Sequence, residues 1–178
     1  MRRAWQSRIV GRAAIVVLLL ALSARSAVAQ SDWDRYKPGT LAAVIAEINA
    51  TIRESLIDKR PSDHFVGSEY SILATVIYKG ESRPIDRNRR QLIARWGLSY
   101  KRDSSLVADF QREYLFQEGT KLFWLPVQDT VASFFPKELR PGDRVRVFVM
   151  LLGGHFENDK ITWAFIVNEF AALPAPRS

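Results

Sequence analysis

The sequence contains no cysteine and only two histidines among its 178 residues. Without cysteine the chain has no disulfide, no thiol nucleophile and no thiolate ligand for a metal, so its stability has to come from packing. The lipid-bearing cysteine that follows a lipoprotein leader is absent for the same reason. Because His64 and His155 are the only imidazoles, nucleophilic and metal-dependent mechanisms have few candidate residues.

Catalytic and cofactor motifs are absent as well. The sequence has no G-x-S-x-G or H-E-x-x-H pattern and no glycine-rich phosphate loop. His155, Glu157 and Asp159 alternate beside one predicted turn, a spacing that fits a weak cation site and equally a solvated turn. We therefore predict no cofactor and no metal, and the catalytic residues of any enzyme activity are unknown at this stage. Carboxylates that folding brings together stay an open alternative.

The apolar run near the N-terminus is too short for a membrane span. It extends from Ala13 to Leu22, whereas a helix needs roughly 20 apolar residues to cross a bilayer. Four arginines precede it: Arg2, Arg3, Arg8 and Arg12. The small-residue sequence Ala27-Val28-Ala29 follows, which completes the pattern of a secretory signal peptide. We predict that residues 1–29 are removed, that no transmembrane segment is left, and that the protein is periplasmic or secreted in a prokaryotic cell envelope.

The net positive charge belongs mostly to this leader. The whole chain has 26 basic and 19 acidic residues, which gives a formal charge of +7. The leader has five arginines and no acid, so 21 basic and 19 acidic residues, or +2, are left for the mature chain. A globally basic nucleic-acid-binding protein is therefore not indicated, and any basic partner surface has to be local.

Such a local surface is predicted between Lys79 and Arg102, where eight basic residues accompany two acidic ones, a charge of +6. Arginine can bind carboxylate or phosphate oxygens with two N–H groups at once. We predict that five arginines bind an anionic partner: Arg83, Arg87, Arg89, Arg90 and Arg95. Arg87, Arg89 and Arg90 are expected at a hairpin tip. One alternative is that these charges only face solvent, and another is that they bind nucleic acid, which is less available to an exported protein.

One amphipathic helix is predicted near the start of the mature chain. Thr40 is a suitable N-cap after Pro38-Gly39, and Pro61 ends the segment. Between them apolar residues recur at three- and four-residue steps: Leu41, Val44, Ile45, Ile48, Ile52 and Leu56. This stripe either packs on the β domain or pairs with another protein. We favour packing on the β domain, because it buries the apolar face of the helix and an apolar face of the sheet within one domain.

From Tyr70 onward the apolar period changes from helical to alternating, which predicts strands. The strongest pair, Arg144–Leu152 and Ile161–Phe170, surrounds a turn at Asn158-Asp159, and a bulge is expected at Gly153-Gly154. Alternation also predicts strands at Tyr70–Tyr78 and Leu92–Tyr100, the second with Trp96 and Tyr100 on its core face. A hairpin at Glu118-Gly119 and a short helical connector over residues 130–139 complete the pattern.

One helix followed by five or six strands predicts an α+β, mainly β domain, in which the N-terminal amphipathic helix packs on a small antiparallel barrel. In outline this arrangement resembles OB or SH3-like barrels. Those barrels host many unrelated functions, so the resemblance implies no functional residue. The predicted organisation is a leader at 1–29, an N-terminal arm and helix at 30–61, a barrel domain at 62–173 and a tail at 174–178.

The sequence as a whole favours an exported, non-enzymatic binding or accessory protein of the cell envelope. Its expected partner is another protein or an anionic envelope component, bound through the arginine-rich surface. The alternative is an envelope hydrolase that uses Asp and Glu in acid–base chemistry. A pocket with convergent titratable groups favours the hydrolase, whereas an exposed arginine cluster favours the binding protein.

We expect the exported protein to begin at Gln30, because Ala27 and Ala29 supply the small residues that signal peptidase requires. The intact mass of protein recovered from the envelope of expressing cells checks this start. A mass that retains residues 1–29 would contradict it and would indicate an uncleaved membrane anchor.

Overall fold

The computed structural model describes residues 33–55, 64–157 and 160–174. All elements named below belong to one compact unit, Tyr36–Ser178. Its strands are β1 (Lys37–Pro38), β2 (His64–Pro84), β3 (Arg112–Glu118), β4 (Lys121–Val127), β5 (Arg144–Glu157) and β6 (Lys160–Ala172). Its α-helices are α1 (Leu41–Ser55), α2 (Arg87–Trp96), α3 (Asp129–Ala132) and α4 (Phe135–Glu138). None of the helices within these described ranges is long and apolar enough to cross a membrane.

Five strands close into a barrel. They neighbour one another in the order β2, β3, β4, β6, β5, and β5 pairs again with β2, while the short β1 adds to β2 in parallel. Strand β2 is long enough for two partners, because His64–Ile77 pairs with β5 and Ile77–Pro84 with β3. The prediction of a small, mainly β barrel is confirmed.

The barrel is mixed, so the prediction of a wholly antiparallel barrel is wrong. Strands β4 and β6 pair in parallel at Val127 and Val167, whereas the other barrel pairs are antiparallel. The reason is the odd number of strands. Directions cannot alternate around a closed ring of five, so one neighbouring pair has to run in the same direction.

Two apolar clusters hold the unit together, one inside the barrel and one outside it. The inner cluster contains the alternating residues of the predicted strands, including Val76 of β2 and Val145, Val147 and Val149 of β5. The outer cluster joins Leu92, Ile93 and Trp96 of α2 to four residues on the outer face of β5 and β6: Met150, Leu152, Ala164 and Ile166. Helix α2 is therefore fixed to the outside of the barrel by apolar contacts.

Helix α1 starts where several groups satisfy its first amide donors. The Thr40 hydroxyl accepts a 3.1 Å hydrogen bond from the Ala43 amide. The Glu118 carboxylate accepts bonds of 2.8 and 2.9 Å from the amides of Leu41 and Ala42. The side chains of Leu41 and Val44 lie in the inner cluster. Leu56 and the end of the predicted helix before Pro61 lie outside the described residues.

The predicted strand from Leu92 to Tyr100 is wrong, because this segment is helical. Helix α2 occupies Arg87–Trp96 and continues as a π-helical turn, Gly97–Lys101. The Asp86 side chain caps α2 by accepting a 2.9 Å hydrogen bond from the Arg89 amide. Trp96 is buried as predicted, but Tyr100 is 47% exposed and is not a core residue. The alternation was misleading because Leu92 and Trp96, four apart, share a face in a helix and in a strand.

Val147→Ala should lower the free energy of unfolding by on the order of 2 kcal/mol, because it leaves a cavity in the inner cluster. Val147 is fully buried between Ala74 and Phe170 on the neighbouring strands. Urea unfolding at constant m-value measures the change, with the exposed Leu98→Ala as control. Equal stability of the two variants would remove Val147 from the core.

Candidate functional site

Three of the five predicted site arginines lie on the exposed half of α2. From a period of 3.6 residues, Arg87, Arg90 and Arg95 fall within an arc of about 140°, opposite the buried side chains of Leu92 and Trp96. Arg87 and Arg95 are exposed and Arg90 is half-buried. None of these three guanidinium groups forms an ion pair with a carboxylate of the described residues. Their N–H donors are therefore open to solvent or to a partner.

Arg83 and Arg89 are placed differently, because both bind the buried carboxylate of Glu113. Glu113 has no exposed surface. Its Oε1 accepts a hydrogen bond from Arg83 Nε, and its Oε2 accepts one from Arg89 Nη1. The same Nη1 lies 3.0 Å from Asp86 Oδ2. We call these four residues, Arg83, Asp86, Arg89 and Glu113, the Glu113 clasp.

The clasp fastens α2 to the barrel. Glu113 of β3 lies opposite Arg83 of β2, and Arg89 reaches the same carboxylate from the first turns of α2. The guanidinium carbon of Arg83 also lies 4.1 Å from the ring centre of Trp124 on β4, a favourable cation–π contact. The clasp therefore joins two strands and one helix, and it contacts a third strand through Trp124. Arg87, Arg89 and Arg90 lie at a helix start and not at the predicted hairpin tip.

The turn after α2 carries two exposed apolar side chains. Leu98 is 61% and Tyr100 47% exposed. The Tyr100 ring stacks on that of Trp96 with centres 5.9 Å apart, and Lys101 Nζ lies 5.3 Å from the centre of the Trp96 ring. The adjacent Asp103 accepts hydrogen bonds from the amide and hydroxyl of Ser105, which lower the pKa of Asp103. Sequence reasoning missed this surface because it assigned the segment to a strand.

A cleft of about 320 Å³ lies where β4 and β6 come together. Four aromatic side chains line it, Phe123, Trp124, Trp163 and Phe165, together with aliphatic residues, Thr162 and Arg89. Arg89 is the only ionisable group among the described residues of this lining. Trp163, from the predicted strand Ile161–Phe170, is half-buried at this cleft. As far as the described side chains extend, the cleft offers apolar contact and one cation, without an acid–base pair.

No cluster of three His, Asp or Glu side chains that could hold a metal ion occurs among the described residues. Of the predicted turn cluster, Asp159 and the side chain of Glu157 lie outside the description. No protein family, curated protein or solved structure matches the chain. Function has to be argued from the arginines, the clasp and the cleft alone.

Glu113→Gln should lower the free energy of unfolding by about 1.5–3 kcal/mol, because the glutamine amide nitrogen is a donor and cannot accept the hydrogen bond from one of the two arginines. The matched control is Glu81→Gln on the exposed part of β2, which should change stability by less than about 0.5 kcal/mol. Urea midpoints at constant m-value check both variants. A loss below about 1 kcal/mol for Glu113→Gln would mean that the clasp does not fasten α2.

Proposed function

We propose that this protein is an exported, non-enzymatic binding protein of the cell envelope that recognises an anionic partner through the exposed face of α2. The observation that carries the proposal is the arrangement of Arg87, Arg90 and Arg95 on one helix face without acidic partners among the described residues. Arginines in this state can donate paired hydrogen bonds to phosphate or carboxylate oxygens. The predicted leader agrees with an envelope location.

The clasp supports the proposal because it orients the helix. Arg89 is bound to Glu113 on one side of α2, and Leu92, Ile93 and Trp96 are buried in the outer cluster. Rotation of α2 would expose those apolar side chains and remove one of the two arginines that compensate the buried carboxylate. The three remaining arginines are therefore carried on a helix that is already ordered, so binding costs only the rotamer freedom of their side chains.

An OB-like identity of the barrel is part of the proposal. Its support is the closed ring of five strands, the helical connection α3–α4 between the third and fourth of them, and the position of α2 between the first two. In OB folds, the connection between the first two strands is among the parts that contact ligands. An SH3-like barrel is the alternative outline.

The alternative of a carboxylate hydrolase has weaker support. Both oxygens of the buried Glu113 accept bonds from arginine, so this acid is committed to ion pairs. The aromatic cleft is lined by no acid among the described residues. Acid–base hydrolysis needs two carboxyl groups that flank a substrate, and the arginine surface has no such pair.

Replacing Arg87, Arg90 and Arg95 by Gln should weaken binding to isolated envelope fragments roughly tenfold or more, since three exposed ion pairs at about 0.5 kcal/mol each contribute about 1.5 kcal/mol. Co-sedimentation at low and high salt measures this, and binding of the unchanged protein should fall as salt rises. Arg89 is left in place because it belongs to the clasp.

The matched control replaces Arg140, Arg144 and Arg146 by Gln. These arginines are also exposed, and the variant loses the same net charge. We expect it to bind like the unchanged protein. Equal loss of binding in both variants would reduce the effect to overall charge and contradict a site on α2.

A further inference from the structure

We infer that residues Arg87–Arg102, which we call the docking element, bind the headgroup layer of a bilayer rich in anionic lipid. In this arrangement the guanidinium groups of Arg87, Arg90 and Arg95 contact lipid phosphates, and Leu98 inserts below them. The inference rests on the proposed function and names its partner.

The charge of the docking element has one sign. Between Arg87 and Arg102 the sequence has six basic residues and no acidic one. Only Arg89 among them is bound to the buried Glu113. The nearest acids flank the element: Asp86 pairs with Arg89, and Asp103 is bound by Ser105. A cationic surface of this kind is attracted to anionic headgroups within a Debye length of the bilayer.

Leu98 extends the same face with an apolar group. It follows Arg87 by eleven residues, about three helical turns, so the two side chains project from the same side of the element. Leu98 is 61% exposed and its neighbour Tyr100 is 47% exposed. A single exposed apolar residue is ordinary, but Leu98 projects from within a cationic face, where contact with anionic headgroups would bring it to the apolar boundary below them. Tyr100 stacks on Trp96 away from this face and supports the turn.

The turn that presents Leu98 is specifically built. A Cβ at Gly97 would collide with the Asp103 carbonyl oxygen, so the chain approaches itself more closely than a side chain would allow. The Asp103 amide donates a 3.1 Å hydrogen bond to the Gly97 carbonyl, and Arg102 adopts a left-handed φ of 55°. The stack of Tyr100 on Trp96 fixes the turn from the other side. The exposure of Leu98 is thus a property of a closed turn and not of a frayed helix end.

A bilayer accounts for both features, whereas a purely ionic partner such as an acidic glycan accounts for only one. Phosphates bind the arginines, and the acyl boundary beneath them receives the apolar side chain of Leu98. A purely ionic partner would leave Leu98 in water and would be indifferent to its replacement. The separate contribution of the apolar group at constant charge is therefore the decisive observable.

Vesicle co-sedimentation tests that contribution. The purified protein should bind vesicles of phosphatidylglycerol and phosphatidylethanolamine and not vesicles of phosphatidylcholine. Replacing Arg87, Arg90 and Arg95 together by Gln should weaken partitioning into the anionic vesicles by roughly 100-fold, because each cation near the surface contributes about a factor of five. Leu98→Ser keeps every charge and the stack of Tyr100 on Trp96, and should weaken partitioning by roughly tenfold. The controls are Leu122→Ser and the Arg140, Arg144 and Arg146 to Gln variant, with unfolding midpoints checked for all.

A second measurement reports insertion directly. Because the chain has no cysteine, Leu98→Cys creates a single site for a polarity-sensitive fluorophore. Its emission should shift to the blue on anionic vesicles, whereas the same label at Leu122→Cys, on a 60% exposed residue of β4, should not shift.

Three outcomes would overturn the inference. Vesicle binding that depends on the arginines but is unchanged by Leu98→Ser, with no blue shift, would mean ionic adsorption without insertion. Binding to envelope fragments through α2 without any binding to lipid vesicles would assign the surface to an anionic protein or glycan, and the proposed function would stand. Binding to neither fragments nor vesicles would remove the proposed function as well.

Discussion

A buried carboxylate, that of Glu113, determines how the arginine-rich segment is presented. A carboxylate without exposed surface is costly unless opposite charge and hydrogen bonds compensate it, and Arg83 and Arg89 supply both. Arg83 comes from the neighbouring strand, whereas Arg89 comes from α2. The helix cannot leave the barrel or turn about its axis without leaving the carboxylate with half of its counter-charge. The outward direction of Arg87, Arg90 and Arg95 is therefore a consequence of an interaction beneath them.

The barrel supplies the rigid support that this arrangement needs. Its odd number of strands makes β4 and β6 parallel neighbours, and long β2 joins both ends of the ring by pairing with β3 and β5. Helix α2 lies in the connection from β2 to β3, yet its apolar side packs against β5 and β6. A connecting segment held at both the clasp and the outer cluster can carry a binding surface with little freedom to lose.

The sequence predicts the barrel better than the site. Val145, Val147 and Val149 combine alternation with β-branched side chains, so period and propensity agree, and their strand was predicted correctly. Leu92 and Trp96 fit the helical period as well as the strand period, so their spacing does not decide between the two. The signals that favour a helix are the adjacent apolar pair Leu92-Ile93 and the capping residue Asp86. The clasp was out of reach, because Glu113 lies 24 and 30 positions from its two arginines and no local spacing marks such a pair.

Counting charges along the chain also overstates the binding surface. The segment Lys79–Arg102 has a charge of +6, but Glu113 lies outside it and occupies two of its arginines. Without Arg83 and Arg89, the cationic face is smaller, and Leu98 lies on the same side of the helix as its arginines. The fold therefore gives the arginines two roles that the sequence alone does not distinguish. Arg83 and Arg89 contribute to stability through Glu113. Arg87, Arg90 and Arg95 make no ion pair within the described chain. A single exposed leucine needs no partner by itself, but Leu98 lies on the same side of the helix as these three arginines, so the contribution of its apolar group at constant charge distinguishes an ionic surface from one that enters a bilayer.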